Sequence, residues 1–343
     1  MGRTREWLRQ AAPHDLPLIV LGVMGVLSLL ISPVRSTTLP AVLLLGGGLA
    51  LSALAARWPH TERDLALAWL SLSLGVALLS LVGLWGLEAK QRVVFAELQQ
   101  VLRAILTWRN RMVGRFPDTF HPNVLAGALV VLLPFSLSAA LRLLAGDPLS
   151  RRDRILSIVS AVAWLLGCGV VLLTQSRGAY LGLAASLLVV AVIWPRSLWV
   201  LAPLAAVGGA GFVLGGGWGG LADGASLGEA LFGLSWRRVV WQNGLAVLSS
   251  YPYTGVGMGC FRSVNTSFFP MVGAASVDAS HAHNLFLQVG IDLGLPGLIA
   301  YLATLGLSFY LLGRAYRKTR GAGRLLAVAG IAALAALCVH GLV

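Results

Sequence analysis

The sequence predicts an all-α, polytopic integral membrane protein, and two properties of its composition carry this prediction. Hydrophobic residues make up 57% of the chain and charged residues only 11%, with a mean hydropathy of +0.81. The apolar residues also form unbroken runs, whereas a soluble helical protein would interleave them with polar residues at helical spacing. A water-soluble fold does not need so much apolar surface, so the soluble alternative is set aside.

Nine apolar runs are close to the roughly 17–25 residues that a helix needs to cross a bilayer. They lie at about 16–32, 39–56, 65–87, 122–146, 155–174, 178–194, 197–215, 285–313 and 324–343. The sequence therefore predicts about nine or more transmembrane helices in a single membrane domain, residues 1–343. The last run stops at Val343 without a basic or aromatic flank, so we expect the natural chain to be longer.

Basic residues set the predicted orientation of these helices. Arg3, Arg5 and Arg9 precede the first run without a convincing cleavage site, which favours a retained first helix and a cytoplasmic N-terminus. With that start, every short inside loop is basic, as the positive-inside rule requires. The same assignment places the long connections 88–121 and 216–284 on the outer face, which is periplasmic in a bacterial cell.

Both outer connections are expected to contain amphipathic helices. From Val94 apolar residues recur at helical spacing, and basic residues such as Arg109 fill much of the remainder, so this helix is expected to lie in the interface. Its charges break the positive-inside pattern, so we expect them to hold anionic groups; the alternative is that the predicted topology is wrong here. The large periplasmic loop, 216–284, contains a predicted helix at 234–248. The glycine spacing of Tyr253–Gly259 predicts a tight turn whose backbone approaches something closely.

The candidate catalytic residues end that loop, where His281, His283 and Asn284 precede a long apolar run. An imidazole at the end of a hydrophobic helix, where the helix meets water, can act as general base on a lipid-linked substrate, because histidine titrates near neutral pH. His283 is the predicted base, since it immediately precedes Asn284, which can cap the helix. If the segment is already helical, the two imidazoles point about 200° apart and cannot both face one acceptor. The alternative is that both histidines are interfacial residues capping a membrane helix.

Arginines on the same predicted side are candidate phosphate ligands. Arg177 opens an apolar run, where an arginine is costly unless it snorkels or meets an anion. Arg237 and Arg238 are about 100° apart on their helix, so at most one points squarely at a site shared with the histidines. Arginine binds phosphate oxygens bidentately and keeps its charge, so two arginines and an imidazole suit a pyrophosphate leaving group. The alternatives are interfacial anchoring for Arg177 and a solvated helix face for the other two.

Neither a metal nor a cofactor is predicted. The acidic residues of the outer loops are scattered and form no cluster for a divalent cation; they include Asp118, Asp223, Glu229 and Asp278. The three cysteines are far apart and lack metal-ligand spacing. Membrane topology and anionic phosphate groups explain the net charge of +13 better than nucleic acid does.

These motifs, in this order, resemble the O-antigen ligase and polymerase superfamily over about 120–300. His283-Asn284, nine residues and then Gly294-Leu295-Pro296-Gly297 look like the His-Asn-x9-Gly-x-x-Gly signature of the ligases. Gly294 and Gly297, three apart, are also expected to let a neighbouring helix pack closely. The other similar segments are Phe120–Gly127, with His121 where Asn is common, Gln175–Gly178, and Arg237 with Trp241, Pro252 and Gly255–Gly257.

The resemblance implies a metal-independent glycosyltransferase that moves a preassembled glycan from undecaprenyl diphosphate to an acceptor hydroxyl. It implies a bacterial inner-membrane location, with the active site on the periplasmic face. Its partners would be the lipid-linked glycan donor, a lipid or glycan acceptor and membrane lipid. It implies His283 as the base and Arg177 and Arg237 as ligands of the diphosphate. His281, Arg238 and Asn284 are secondary candidates because of their positions beside these residues.

Two alternative functions stay open at this point. A polymerase of the same superfamily would add the glycan to another lipid-linked chain. Some members of the superfamily have been described as bicarbonate transporters, and a transporter is expected to show ionisable residues near the bilayer midplane and broken helices in paired halves. Asp292 is the main candidate for such a residue, and no halves are visible.

Overall fold

A computed structural model describes residues 15–57, 61–87, 96–113, 121–144, 149–199, 201–202, 234–269 and 279–342. These residues form α-helices joined by turns, which confirms the all-α prediction. The helices are α1 (Asp15–Ile31), α2 (Arg35–Arg57), α3 (Glu62–Gly86), α4 (Ala96–Val113), α5 (Pro122–Leu141), α6 (Arg151–Thr174), α7 (Arg177–Ile193), α8 (Leu234–Ser250), α9 (Phe261–Phe268), α10 (Leu285–Lys318) and α11 (Gly321–Gly341).

Six of the described helices are long and apolar enough to cross a membrane, namely α2, α3, α5, α6, α10 and α11. The apolar helices α1 and α7 have 17 residues each, which is about 25 Å at the helical rise and short of the roughly 30 Å hydrocarbon core. The predicted run 197–215 lies mostly outside the described residues. The chain is a polytopic helical membrane protein, but the expected nine or more spans are not supported.

The helices belong to two compact units. The first contains α1, α2, α8, α9 and α10 as far as Leu311, and within it α1 and α2 pack against each other. The second contains α3 to α7, the remainder of α10, and α11. Within the second unit α5 packs against α3, α6, α7 and α11, so it is the central helix of that unit.

Side-chain caps determine where two helices of the second unit begin. Thr61 Oγ1 accepts from the Asp64 amide at 3.3 Å, and Asp64 Oδ2 accepts from the Thr61 amide at 2.7 Å, forming a capping box for α3. Ser150 Oγ accepts from the Asp153 amide at 3.1 Å and caps α6. Arg142 pairs with the same Asp153 at 3.1 Å, so this carboxylate is neutralised locally.

The apolar core of the second unit also contains short polar bridges. Leu129, Val130 and Leu133 of α5 are completely buried. Ser73 Oγ of α3 donates to Ser160 Oγ of α6 at 2.9 Å. Such small hydroxyl residues let membrane helices approach closely and join them by hydrogen bonds.

The predicted basic amphipathic helix is present as α4, but one of its arginines has an internal role. Arg109 is only 5% exposed and donates to the carbonyl of Trp85 at the end of α3 and to Asn110 Oδ1, the latter at 2.8 Å. A cation at a helix C-terminus satisfies carbonyls that lack intrahelical partners and complements the helix dipole. The expectation that this charge holds an anionic group is therefore wrong for Arg109.

Candidate functional site

The predicted site region contains a break in α10. At Gly294 the backbone adopts φ 69° and ψ −179°, which is not helical. The loop after α8 satisfies the backbone groups that the break frees. Val256 N–H donates to the Ile291 carbonyl at 2.8 Å, and Leu295 N–H donates to the Pro252 carbonyl at 2.7 Å.

Glycines allow this loop and the break to approach each other backbone to backbone. A Cβ at Gly255, whose φ is 68°, would lie 2.6 Å from the carbonyl carbon of Asp292, and one at Gly294 would lie 2.7 Å from that of Tyr253. The predicted close approach of the glycine turn is confirmed, and its partner is α10. The expectation that Gly294 and Gly297 admit a neighbouring helix is wrong, because Gly294 contacts this loop and Gly297 is crowded by its own helix.

The same loop is also held by α1, α2 and the turn between them. Met258 N–H donates to Ser28 Oγ at 2.7 Å, and the Met258 carbonyl accepts from Thr38 Oγ1 at 2.9 Å. The fully buried Cys260 thiol lies 3.2 Å from that Thr38 oxygen. Contacts on both sides therefore give the loop a defined position from which to support the start of α10.

The histidines lie in a turn that immediately precedes α10. Asn284 Oδ1 accepts from the Leu287 amide at 3.0 Å, which makes Asn284 the cap of the helix that begins at Leu285. His283 has φ 49°, a left-handed conformation that non-glycine residues adopt rarely. Its amide donates to His281 Nδ1 at 3.2 Å, and the two rings are 3.8 Å apart between centroids.

The expected opposition of His281 and His283 is therefore wrong. It assumed that the helix had already begun at these residues, whereas the chain still turns there. The contact between the rings leaves His281 exposed and His283 partly buried. His283, the partly buried imidazole, is the one next to the start of α10, where the sequence predicted the base.

A tryptophan that the sequence analysis did not select joins the histidine turn to α8. The ring of Trp236 packs edge to face against that of His283, with centroids 4.6 Å apart. Arg237 Cζ lies 5.8 Å from the centroid of the same indole. His283 and Arg237 thus contact one aromatic side chain, while Arg238 is exposed.

Arg177 lies in the second unit, where it is exposed at the first position of α7. The preceding residue pair, Gln175 and Ser176, is buried, and Gln175 has φ 52°, which ends α6. Gln175 Nε2 donates to Gln99 Oε1 of α4 at 3.1 Å, so α4 holds the turn that presents Arg177. That Arg177 and Arg237 share one diphosphate stays a prediction.

Two further polar residues of α10 lie behind the histidine turn. Asp292 is 9% exposed and accepts from Gln288 Nε2 at 2.9 Å and from the amide of Gly259. Gln288 Oε1 accepts from the Ala282 amide at 2.7 Å. The sequence carried a signal for this pair, since Asn284, Gln288 and Asp292 recur every four residues on one face of an apolar helix. For Trp236 there was no signal beyond its position beside Arg237.

Some predicted features fall outside the described residues. They are Arg3, Arg5 and Arg9, Val94, most of the run 197–215, residues 216–233 of the large loop, and Asp118, Asp223, Glu229 and Asp278.

The described residues define a polytopic helical membrane protein in which His283, at the start of an interrupted apolar helix, and Arg237 contact the same indole. Residues 161–302 match the family model described as O-antigen ligase. This match supports the O-antigen ligase and polymerase superfamily that the motifs predicted. The match includes every candidate site residue and the break at Gly294, while the similar segment Phe120–Gly127 precedes it. No curated protein matches the chain.

Proposed function

We propose that the protein is an O-antigen ligase-like glycosyltransferase that moves a preassembled glycan from undecaprenyl diphosphate to an acceptor hydroxyl. The observation that carries the proposal is the contact of His283 and Arg237 with one indole, inside the region matching the ligase family. This arrangement supports a site where a hydroxyl is deprotonated beside a group that binds phosphate.

In the proposed reaction His283 is the general base. It takes the proton of the acceptor hydroxyl as the oxygen attacks the anomeric carbon of the glycan. The bond from that carbon to the diphosphate oxygen breaks, and the diphosphate leaves with its lipid. Catalysis of this kind contributes typically about 10²–10⁴ in rate. The edge-to-face contact with Trp236 and the cap at Asn284 both support a fixed imidazole.

The arginines stabilise the negative charge of the leaving diphosphate. Arg237 provides the guanidinium on the first turn of α8, and Arg177 provides a second one at the start of α7. A planar guanidinium binds two phosphate oxygens at once and keeps its charge at every physiological pH. A metal ion is not required in this scheme.

The secondary candidates have supporting roles in the same proposal. His281 Nδ1 accepts a hydrogen bond from the amide of His283, whose backbone is left-handed. Asn284 holds the first turn of α10. Arg238 is exposed beside Arg237 and is available to the glycan donor or to lipid phosphate.

The proposed location is the bacterial inner membrane, with a cytoplasmic N-terminus and the site at its periplasmic face, inside the large loop 216–284. The donor is a lipid, so the apolar helices let it approach from the bilayer. The acceptor would be a lipid A core sugar, the growing end of another lipid-linked glycan or a protein hydroxyl. Ligase activity is the proposal because the matched family is described as O-antigen ligase.

The testing experiment compares glycan pools in a strain that lacks the protein. Long, unattached polymer on undecaprenyl diphosphate is the expected result for a ligase. Accumulated single repeat units would make the protein a polymerase instead. An unchanged glycan pool, together with lost bicarbonate flux in vesicles, would replace the glycosyltransferase proposal with transport.

A further inference from the structure

We propose that Asp292 and Gln288 are positioning residues for His283 and act through the buried amide of Ala282. The proposal rests on the proposed function, because it assigns the role of these two residues to the alignment of the general base. Their proposed effect on the His283 ring is indirect, because it passes through the backbone of the histidine turn.

The connection is a row of hydrogen bonds inside the first unit. Ala282, completely buried between the two histidines, donates its amide proton to Gln288 Oε1 at 2.7 Å. Gln288 Nε2 in turn donates to Asp292 Oδ1 at 2.9 Å. The Gly259 amide also donates to the Asp292 carboxyl. The row therefore runs from the glycine loop, through one face of α10, to the histidine turn.

Asp292 determines which groups donate and which accept along this row of hydrogen bonds. Both hydrogen-bond partners of the Asp292 side chain among the described residues are N–H donors, so the carboxyl acts as the acceptor for each. An amide side chain has one oxygen and one NH₂ group, so Gln288 can donate to Asp292 only with its oxygen turned towards Ala282. Asp292 thus decides which end of the Gln288 amide faces the histidine turn.

This orientation matters because the histidine turn is in an unfavourable conformation. His283 has φ 49°, and such backbones persist only where the surroundings hold them. A buried N–H without an acceptor is costly, so the Gln288 oxygen favours the one turn geometry in which Ala282 donates to it. Removing that acceptor releases the turn, and with it the His283 imidazole.

Exchanging donor and acceptor between the two side chains tests the proposal. In Gln288→Glu the new carboxylate faces the Asp292 carboxyl, so two acceptors meet where a donor and an acceptor had paired. In Asp292→Asn the new NH₂ group faces the NH₂ group of Gln288. This favours a flipped Gln288 amide, whose NH₂ group then faces the Ala282 amide. The double variant Gln288→Glu/Asp292→Asn restores every bond, because Asn donates to Glu, Glu accepts from Ala282, and the Asn oxygen accepts from Gly259.

We expect each single variant to lower kcat for glycan transfer by about 10²-fold, since small misplacement of a catalytic group has costs of that order. The KM for the lipid-linked donor should stay near wild type. The double variant should recover most of the kcat. Gln100→Glu, at an exposed position of α4, is the matched control and should behave as wild type.

Hydrogen exchange of the peptide that contains Ala282 gives a second readout that does not depend on activity. Exchange should be faster in both single variants and return to the wild-type rate in the double variant. A double variant no more active than the worse single one would overturn the proposal.

The outcome with His283→Ala separates this proposal from the proposed function. Loss of transfer in His283→Ala, with wild-type kcat in both single variants, overturns the positioning role and leaves the base in place. Full transfer by His283→Ala overturns the base itself and the positioning role with it.

Discussion

Replacing Gly294 by alanine tests how strongly the break in α10 supports the fold. The backbone there has φ 69° and ψ −179°, a region where a non-glycine residue costs about 1–3 kcal/mol. The new Cβ would also lie 2.7–2.9 Å from backbone atoms of Tyr253 and Gly255, and relieving such an overlap costs about 1–3 kcal/mol more. We expect Gly294→Ala to lower the free energy of unfolding by several kcal/mol, which is a large part of the ~5–15 kcal/mol that stabilises a typical protein.

The assay is thermal unfolding of the purified protein in detergent, with the amount inserted in membranes as a second readout. Gly306→Ala is the matched control, because it lies on the same helix and a Cβ there meets nothing within 4 Å. Alanine at Gly306 should be neutral or stabilise by up to about 1 kcal/mol, the difference in helix propensity. Equal unfolding temperatures for the two variants would refute the account of the break.

Two further predictions concern arginines. Arg177→Lys and Arg237→Lys should each lower kcat/KM for transfer by about 10- to 100-fold, because a lysine cannot reproduce the bidentate contact with phosphate. Arg154→Lys, at an exposed position of α6, is the control. Wild-type rates in both site variants would remove these arginines from the site. Arg109→Ala should lower the free energy of unfolding by about 1.5–3 kcal/mol, because the hydrogen bond to the Trp85 carbonyl is lost. Arg103→Ala, at an exposed position of the same helix, should change that free energy by no more than about 0.5 kcal/mol. Equal unfolding curves for the two variants would show that Arg109 does not secure the end of α3.

Features that depend on local sequence were predictable. The apolar runs predicted helices because unbroken hydrophobic length is itself the signal, and eight of the nine runs correspond to helices among the described residues. The order of the motifs predicted the superfamily. The glycine spacing of Tyr253–Gly259 predicted a close backbone approach, because glycine permits it wherever the partner lies.

Features that depend on distant contacts were not predictable in the same way. The break at Gly294 exists because the loop after α8 supplies partners to its free backbone groups, and no local pattern reveals that loop. Pro296, two residues further on, was the local signal for a break in this helix. The adjacency of His281 and His283 follows from the exact start of α10 at Leu285. Helix boundaries vary by a residue or two in any sequence-based prediction, and here that shift changes two opposed rings into neighbours.

Glycan transfer by the reconstituted protein, measured for His283→Ala and His281→Ala, tests whether His283 is the general base. The substrates are an undecaprenyl-diphosphate-linked glycan and a hydroxyl acceptor in proteoliposomes, with equal amounts of inserted protein. Loss of the general base should reduce the rate of His283→Ala by about 10²–10⁴-fold, while His281→Ala should have a mild effect. The reverse ranking would contradict the role of His283 and assign the base to His281.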